Sequence, residues 1–283
     1  MLNTAYVIIN FLSYILPIRL AYFITKWIVV VAYFTVYGKA KKNVEKNIEF
    51  VFGDKLKEWE KKKILRETFL NFGLFIYEFL IIRKINKRSF RKFLNPIGFE
   101  KVEKALRKGR GVLIVTAHVG NWEWGAVMLT YLGYPPTVIA KRFKNEFLTR
   151  FYFKKRSMHS LEVVYLDDAV KKSLRKLRTN GLVAILGDRD YTSQGIEVPF
   201  LGKPVRLPTG AVLLSKRSGA VVIPAFAIRV GTCKYNVFFE DPIEYSKEGY
   251  KEEDIKKDIM RLSKVIEKYI KKYPSQWYNF GAI

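Results

Sequence analysis

The segment that decides the fold reads Gly111-Val-Leu-Ile-Val-Thr-Ala-His-Val-Gly-Asn-Trp-Glu-Trp-Gly125. Its first part is a short apolar run, with Gly111 before it and Gly120 after it, and such runs are typical of buried β-strands. The polar residues that follow are typical of a strand-to-helix turn, where α/β sheets commonly expose reactive groups. We therefore predict that His118, one of only two histidines in the chain, lies at the end of a strand.

A carboxylate stands five residues after this histidine, at Glu123. On one straight helix this spacing places the two side chains on different faces, so a contact between them requires the turn. A histidine held by a carboxylate is suited to general-base chemistry. The pattern predicts His118 as a base and Glu123 as the group that orients it. Two structural interpretations stay open: a hydrogen-bonded structural histidine, and a Glu123 that complements a helix N-terminus.

The composition limits the class of protein. The 283 residues, 49% of them hydrophobic, are enough to bury the core of one or two domains. The single cysteine, Cys233, excludes an intramolecular disulfide, and with only two histidines we expect no metal site. The net charge of +25 predicts anionic partners such as nucleic acid, anionic lipid headgroups or an acidic carrier protein.

The N-terminal part of the chain favours a membrane among these partners. Residues 1–37 carry only two charged side chains, Arg19 and Lys26, and Pro17 divides them into two apolar stretches. The second stretch approaches the roughly 20 residues that cross a bilayer as a helix. A basic cluster suited to an anionic cytoplasmic leaflet follows at Lys39, Lys41, Lys42 and Lys46.

These patterns predict two parts. Residues 1–40 are expected to form a helical hairpin that inserts into or lies on the inner (cytoplasmic) membrane, and a purely buried helical pair is the alternative. Residues 41–283 are expected to form a domain that faces the cytoplasm, with a helical lead-in over 41–97 and an α/β core over 98–283. Strand and helix patterns alternate in this core, which predicts a mixed, largely parallel sheet flanked by helices. Strands are expected at 112–117, 137–140, 162–166, 182–186, 220–228 and 235–240, and helices at 42–51, 57–83, 98–108, 122–132, 145–158, 167–179, 208–218 and 250–272.

Several familiar chemistries are excluded. The chain has no Gly-x-Ser-x-Gly elbow, no Walker-type phosphate loop and no Gly-x-Gly-x-x-Gly fingerprint. Cys233 has no nearby histidine, so it is not expected to act as a nucleophile. Direct attack by a substrate hydroxyl, assisted by a base, is the economical mechanism.

A second polar block, Gly187-Asp-Arg-Asp-Tyr-Thr-Ser-Gln-Gly195, follows the strand expected at 182–186. Its glycines predict a shaped loop at the same sheet edge as His118, and a local surface charge network is the alternative. The next segment, Arg206-Leu-Pro-Thr-Gly210, is expected to open a helix with a threonine in its first turn. Such a helix terminus can hold an anionic group.

Three blocks of the chain form a recognisable set: Thr116-Ala-His-Val-Gly-Asn-Trp-Glu123, then Asp188-Arg-Asp-Tyr191 with Val198-Pro-Phe-Leu-Gly202, then Thr209-Gly210. Together they resemble the bacterial lipid A biosynthesis acyltransferases, the lauroyl and myristoyl transferases of the wider lysophospholipid acyltransferase-like superfamily. The closing Pro-Ser-Gln-Trp277 and the apolar N-terminus also agree, so the resemblance covers nearly the whole chain and implies a glycerolipid acyltransferase-like fold.

The resemblance implies a membrane-associated acyltransferase without a covalent intermediate. His118 would take the proton of an acceptor hydroxyl as its oxygen attacks an acyl thioester, and Glu123 would orient the imidazole in the family's His-x-x-x-x-Glu motif. No cofactor is implied beyond the acyl donor, which is an acyl carrier protein or CoA thioester. Substrate-binding residues carried over from the family are Arg142, Asn145, Arg156, Asp188, Arg189, Asp190, Thr209 and Gly210.

Two departures from the family's pattern bear on the acceptor. Arg189 stands where many members carry glutamine, and the chain lacks the basic-aromatic tail usual after the Gln-Trp pair. A lipid A precursor is the leading acceptor, with a phosphatidylinositol mannoside or another glycolipid as the enzymatic alternative. A basic membrane- or nucleic-acid-binding protein with a structural His118 is the non-enzymatic one. The chain has no recognised nucleic-acid module, so no nucleic acid is expected to bind.

Overall fold

The structure is a computed structural model that describes residues 2–246 and 248–281, with side chains from residue 6 onward. It begins with four helices: α1 (Leu2–Ile15), α2 (Ile18–Thr35), α3 (Gly38–Phe52) and α4 (Glu58–Leu80). Pro17 separates α1 from α2, because proline has no N–H to donate to the preceding turn. Helices therefore cover both apolar stretches and most of residues 38–80, whereas the division of the chain into two parts stays a prediction.

The rest of the chain alternates strand and helix, close to the predicted bounds. The elements are β1 (Leu94–Ile97), α5 (Glu100–Leu106), β2 (Val112–Thr116), α6 (Trp122–Tyr131), β3 (Thr137–Ala140), α7 (Glu146–Ser157), β4 (Glu162–Tyr165), α8 (Ala169–Arg178), β5 (Leu182–Leu186), β6 (Ile196–Phe200), β7 (Lys203–Leu207), α9 (Gly210–Ser218), β8 (Val221–Gly231), β9 (Lys234–Phe239) and α10 (Glu252–Lys272).

Seven of the strands form one sheet in the order β1-β9-β8-β2-β5-β3-β4. Every neighbouring pair is parallel except β8 and β9, which confirms a mixed, largely parallel sheet. The central strand β2 is buried, with Val112 and Val115 fully inaccessible, as expected for a sheet with helices on both faces. Strands β8, β2, β5, β3 and β4 run in one direction, so their ends share one edge, called here the carboxyl edge.

Two strand regions differ from the prediction. Leu94–Ile97 forms an edge strand beside β9, so the sheet begins inside the segment predicted as a helical lead-in. Its proline is tolerated because an edge strand can leave one side unpaired. Residues 196–207, for which no strand is predicted, form an antiparallel hairpin of β6 and β7. Val198 and Phe200 are buried in alternation, and the turn uses Leu201 and Gly202 at φ of 55° and 87°.

The apolar hairpin packs on the domain by one face. Helix α2 lies along α4, from Tyr22 beside Tyr77 to Tyr33 beside Phe69, with ring centroids 5.5 Å apart in both pairs. Of the described helices, only α2 is long and apolar enough to cross a membrane. The hairpin is therefore not a purely buried pair, and large exposed apolar patches mark interaction surfaces. Exposed side chains on its outer face include Phe11, Ile15, Phe23, Trp27, Ile28 and Phe34.

Candidate active site

His118 lies at the carboxyl edge, two residues beyond β2. Its ring Nδ1 is 2.8 Å from Oδ1 of Asp188, which follows the neighbouring strand β5. The second carboxylate oxygen, Oδ2, accepts a hydrogen bond of 3.1 Å from Nε1 of Trp277. Because an ionised carboxylate only accepts, this geometry assigns the proton to Nδ1 and leaves the lone pair of His118 on Nε2.

The Asp188 carboxylate is fully buried but stays ionised. Burial alone would raise its pKa, but the charge of His118 in its protonated form, hydrogen bonds from His118 and Trp277, and the charge of Arg189 hold the pKa well below its ordinary value. A permanently charged acceptor is the partner that an imidazole needs in order to take up a proton.

The opposite side of the imidazole is available. Within the described part of the chain, Nε2 of His118 makes no hydrogen bond, and the side chain is 15% exposed. Two aromatic rings meet the imidazole edge-on, Trp122 with a centroid distance of 5.1 Å and Tyr191 with 6.3 Å. The arrangement presents a basic nitrogen between apolar walls.

The turn after His118 is held rigidly. Gly120 has φ of 69°, and a Cβ there would lie 1.9 Å from the carbonyl oxygen of Ala227 in β8, so only glycine fits. The N–H of Asn121 donates to that same carbonyl over 2.8 Å. The Asn121 side chain then caps α6 by accepting from the N–H of Trp124 at 3.0 Å. The backbone of His118 is therefore tied to β8 and to α6.

The C-terminal segment, residues 274–281, closes the site from the other side. The N–H of Tyr278 donates to the carbonyl of His118 at 2.8 Å, and the N–H of Gly120 donates to the carbonyl of Gln276 at 2.9 Å. Trp277 reaches Asp188 from the same segment. Sequence reasoning did not assign a role to Trp277 or Tyr278, although the Pro-Ser-Gln-Trp block in the resemblance was the available signal.

Glu123 has a different partner from the one predicted. It lies in the first turn of α6, buried, and both of its oxygens accept from Arg156 of α7, at 3.0 Å from Nε and 2.6 Å from Nη2. Burial alone would lower the pKa of Arg156, but the Glu123 charge and hydrogen bonds raise it. No hydrogen bond joins Glu123 to His118 in the described residues. The expected direct contact is therefore wrong, because the planar guanidinium occupies both carboxylate oxygens.

The polar loop after β5 supplies two further predicted residues. The Arg189 guanidinium donates to the carbonyl of Tyr278 and lies 3.9 Å from Oδ2 of Asp188. Asp190 accepts from the hydroxyl and the N–H of Thr192 and from the N–H of Gly195, at 2.7 to 2.8 Å. Arg189 thus belongs to the histidine site, whereas Asp190 shapes the loop.

The loop after β3 borders the site. Asn145 caps α7 by accepting from the N–H of Phe147 at 2.9 Å. Arg142 is exposed and stacks 3.9 Å above the ring of Tyr165. Lys141, which was not predicted, lies 4.8 Å over Tyr191, the ring that meets His118. The contacts of Arg142 within the described part of the chain are with Tyr165 and Asp167 and not with His118.

The start of α9 differs in detail from the prediction. The helix begins at Gly210, so Thr209 precedes the first turn instead of lying in it, and its hydroxyl makes no capping hydrogen bond. The nearest atom to a Cβ built on Gly210 is the Ile185 side chain at 3.7 Å, so the helix approaches β5. Neither Thr209 nor Gly210 contacts His118 in the described hydrogen-bond and ring-contact network.

An apolar cavity of about 40 Å³ lies beneath α6, beside Trp122. Its walls come from α6 and from the strands β2, β5, β8 and β9. Protein interiors rarely contain a void larger than a water molecule. This one exists because several of the residues that line it have small side chains. These small residues are Gly125, Ala126, Ala184, Ala225 and Ala227.

The fold and the site together define an α/β protein with a histidine–carboxylate pair at the carboxyl edge of a largely parallel sheet. The chain belongs to the bacterial lipid A biosynthesis acyltransferase family, whose sequence profile matches residues 1–281.

Curated relatives of this chain are all named acyltransferases. A phosphatidylinositol mannoside acyltransferase of Mycobacterium tuberculosis is 29% identical over 160 residues, covering 54% of this chain and 51% of the relative. The match therefore spans about half the length of that protein. A lipid A biosynthesis palmitoleoyltransferase of Escherichia coli is 24% identical over 235 residues, covering 82% of this chain and 74% of the relative. Among solved structures, the 1-acyl-sn-glycerophosphate acyltransferase PlsC of Thermotoga maritima is 15% identical with a TM-score of 0.43, covering 90% of this chain and 98% of that one.

Proposed function

We propose that this protein transfers a fatty acyl chain from an acyl thioester to a hydroxyl of a glycolipid, with His118 as general base. The observation that carries the proposal is the Nδ1 contact of His118 with the buried Asp188, which leaves Nε2 free to accept a proton. Family membership supports the reaction class. Nothing in this chemistry requires a covalent intermediate or a cofactor besides the thioester.

The proposed reaction is a single acyl transfer. Nε2 of His118 takes the proton of the acceptor hydroxyl while its oxygen attacks the thioester carbonyl, so a C–O bond forms. The tetrahedral intermediate then collapses with cleavage of the C–S bond, and the imidazolium returns its proton to the leaving thiolate. Asp188 stabilises the imidazolium between these two steps, as a carboxylate does in other base–carboxylate pairs. Trp277 keeps the carboxylate in place.

The remaining predicted residues are proposed to hold the substrates or the site. Glu123 acts indirectly: its ion pair with Arg156 fixes the first turn of α6, which follows His118, against α7. Arg189 and Arg142 supply positive charge near the carboxyl edge for anionic groups of the donor or the acceptor. Asn145, Asp190, Thr209 and Gly210 shape the surrounding loops and helix starts.

The donor is proposed to be carried by acyl carrier protein, since the net charge of +25 favours an acidic partner. CoA is the second donor. For the acceptor, a lipid A precursor leads because the family profile covers residues 1–281 and the Escherichia coli relative matches 82% of the chain. A phosphatidylinositol mannoside is the second candidate, favoured by the higher identity of the mycobacterial relative over its matched half.

The protein is proposed to bind the cytoplasmic face of the inner membrane through the outer face of α1 and α2. Helix α2 remains in contact with α4 from Tyr22 to Tyr33, so a bilayer-crossing α2 would draw the part of α4 from Phe69 to Tyr77, and the domain packed on it, into the lipid. A hairpin lying along the surface buries its outer apolar face without that cost. The basic residues that follow it, from Lys39 to Lys46, suit anionic headgroups.

The test is transfer by the purified full chain on vesicles, with products identified by mass spectrometry. We expect His118→Asn to lower the transfer rate at least about 1,000-fold, because asparagine keeps a donor for Asp188 but cannot act as a base. The matched control is His159→Asn, which changes the only other histidine, buried against Tyr131.

The assay has three arms. Acyl carrier protein and CoA thioesters separate the donors, and a lipid A precursor and a phosphatidylinositol mannoside separate the acceptors. Vesicles with or without phosphatidylglycerol report the need for an anionic surface. Full activity of His118→Asn would reject the base assignment, and no transfer with any donor and acceptor would reject the reaction.

A further inference from the structure

Glu78 is a buried carboxylate that the proposed reaction does not use. It lies near the end of α4 among apolar residues and is completely inaccessible. Its Oε1 accepts from the hydroxyl of Tyr22 and from Arg229, and its Oε2 accepts from the hydroxyl of Tyr235 and, at 3.1 Å, from the amide of Asn121. Burying a charge is costly unless it is paired and hydrogen-bonded. The four partners of Glu78 come from four different parts of the fold, so this one carboxylate connects them.

One arm of this network reaches the turn behind His118. Asn121, which donates to Glu78, is the cap of α6 and stands three residues after His118. The backbone carbonyl of Glu78 also accepts from the indole N–H of Trp124 at 3.1 Å. Glu78 therefore accepts two hydrogen bonds from the start of α6, one from Asn121 and one from Trp124. These bonds hold the end of the turn that follows His118.

The other arm reaches the carboxylate partner of His118. Arg229 lies in β8, and its backbone N–H and carbonyl pair with the side-chain amide of Gln276 at 2.9 and 3.1 Å. The next residue is Trp277, the donor to Asp188. Burial alone would lower the pKa of Arg229, but the Glu78 charge raises it, so the guanidinium stays charged. Arg229 thus connects Glu78, which binds its side chain, to the C-terminal segment, which binds its backbone.

A third contact ties the same carboxylate to the apolar hairpin. Tyr22 of α2 donates to Glu78, and its hydroxyl in turn accepts from the backbone N–H of Cys233 and from Arg229, both at 2.9 Å. Helix α2 therefore contributes a polar group to the interior next to the site. The hairpin is attached to the network that surrounds His118 as well as to the outside of α4.

We propose that Glu78 is a positioning residue, whose single buried charge sets the positions of both His118, through Asn121, and Asp188, through Arg229, Gln276 and Trp277. The kinetic part of this proposal rests on the acyl transfer proposed above, whereas its spectroscopic part does not. Because Tyr22 donates a hydrogen bond to Glu78, a change in the position of the apolar hairpin would also change the position of this carboxylate.

The chain offers a matched control in a second buried ion pair. Lys216 of α9 and Asp258 of α10 are 2.9 Å apart, and their side chains are 2% and 13% exposed. Lys216 also donates to the carbonyls of Ser246 and Glu248 at 3.0 Å. No hydrogen bond links this pair to His118, Asp188 or Asn121 in the described residues. We therefore expect removal of its carboxylate to lower folding stability without altering the site.

The experiment compares Glu78→Gln with Asp258→Asn in the full chain by NMR of isotopically labelled histidine. The chain has two histidines, so His118→Asn assigns both sets of ring signals. We expect Glu78→Gln to shift the ring signals of His118 and to move its titration midpoint by about half a pH unit or more. The signals of His159 stay in place, and Asp258→Asn moves neither histidine.

Kinetics provide a second readout. Glu78→Gln is expected to lower kcat by about 10- to 100-fold with little change in KM, because small misplacements of catalytic groups cost rate and not ground-state binding. Asp258→Asn is expected to keep kcat within about twofold despite a comparable loss of melting temperature. Asn121→Ser keeps a cap oxygen for α6, but its shorter side chain lacks the amide that donates to Glu78, so it serves if Glu78→Gln does not fold.

The outcomes separate the hypotheses. Unchanged His118 signals and unchanged kcat, in Glu78→Gln or in Asn121→Ser, would show that the network is only structural and overturn the proposal. Shifted His118 signals in a protein that transfers no acyl chain would support the positioning role and reject the proposed reaction instead. Shifted signals with lowered kcat and intact KM support both.

Discussion

Two polar segments meet at the carboxyl edge, and they use their carboxylates differently. The first, residues 118–123, follows β2 and ends in Glu123; the second, residues 187–195, follows β5 and begins with Asp188. Glu123 is five residues from His118 but binds Arg156, whereas Asp188 is 70 residues away and binds the imidazole. In a parallel sheet, strand register decides which side chains meet, and Thr116 stands opposite Leu186.

The two carboxylates also differ in the cation that they hold. Arg156 stays protonated at all working pH values, so its pair with Glu123 is fixed in charge. An imidazole can both take up and release a proton, so the charge of the pair between His118 and Asp188 can change during a reaction. In the proposed reaction, proton transfer therefore belongs to the segment that is distant in sequence, and anchoring belongs to the near one.

The largest effect that separates the two segments is expected from Asp188→Asn. An amide donates to Nδ1 and favours the wrong imidazole tautomer, so we expect the transfer rate to fall by about 1,000- to 10,000-fold. Glu123→Gln, the matched change in the other segment, is expected to cost only about 10- to 100-fold. Single-turnover rates of the two variants measure the difference. If Glu123→Gln lowered the transfer rate more than Asp188→Asn does, Glu123 and not Asp188 would be the carboxylate that orients His118.

Arg156→Met tests whether Glu123 is kept away from His118 by its ion pair. Removing one partner of a buried pair is expected to destabilise the fold by about 3–5 kcal/mol, measured by chemical unfolding. The rate is expected to fall about 10-fold through loss of the α6–α7 anchor. If the freed Glu123 could replace Asp188, the double variant with Asp188→Asn would recover activity; we expect no recovery.

Trp277→Phe weakens the second segment alone by removing the donor to Oδ2 of Asp188. We expect a rate loss of about 10-fold, close to the worth of one hydrogen bond to a charged group.

The same variant tests the stability of the protein in acid. The pKa of Asp188 in the folded protein lies below its ordinary value. The stabilisation that the ionised carboxylate gives is therefore present above the ordinary pKa and is lost as the pH falls through the folded pKa. Removing the donor raises the folded pKa, so acid unfolding should begin at a higher pH than in the unchanged protein. Trp59→Phe, at an exposed tryptophan, is the control, and an unaltered acid midpoint in Trp277→Phe would contradict the role of the indole.

Much of the sheet is predictable from local pattern. Continuous apolar runs at 112–115 and 182–186 are typical of strands buried on both faces, and both fall within central strands of the sheet. The edge strand Leu94–Ile97 gives no such pattern, since it contains asparagine and proline and exists because β9 pairs with it. The β6–β7 hairpin has an alternating pattern, but its prolines and glycines conceal it.

The site is predictable in its members but not in its pairs. His118, Asp188, Arg189 and Arg156 are recognisable as polar groups next to strands or as family positions, and the structure places all four around one edge. Their partners depend on the directions in which side chains leave the turn and the helix. Glu78 could be noticed only as a lone carboxylate in an apolar helix face, because its four partners come from α2, α6, β8 and β9.

The sequence by itself determined the alternating strands and helices, the apolar hairpin with its basic flank, and the histidine at the end of a central strand. These properties follow from composition and short-range periodicity, which act within a few residues along the chain. Only the tertiary structure decided that Asp188 holds the imidazole, that Glu123 pairs with Arg156, and that Trp277 donates to Asp188 and Asn121 to Glu78. Hydrogen bonds form over about 3 Å in space, and strand register and helix packing alone bring residues so far apart in the chain to that distance.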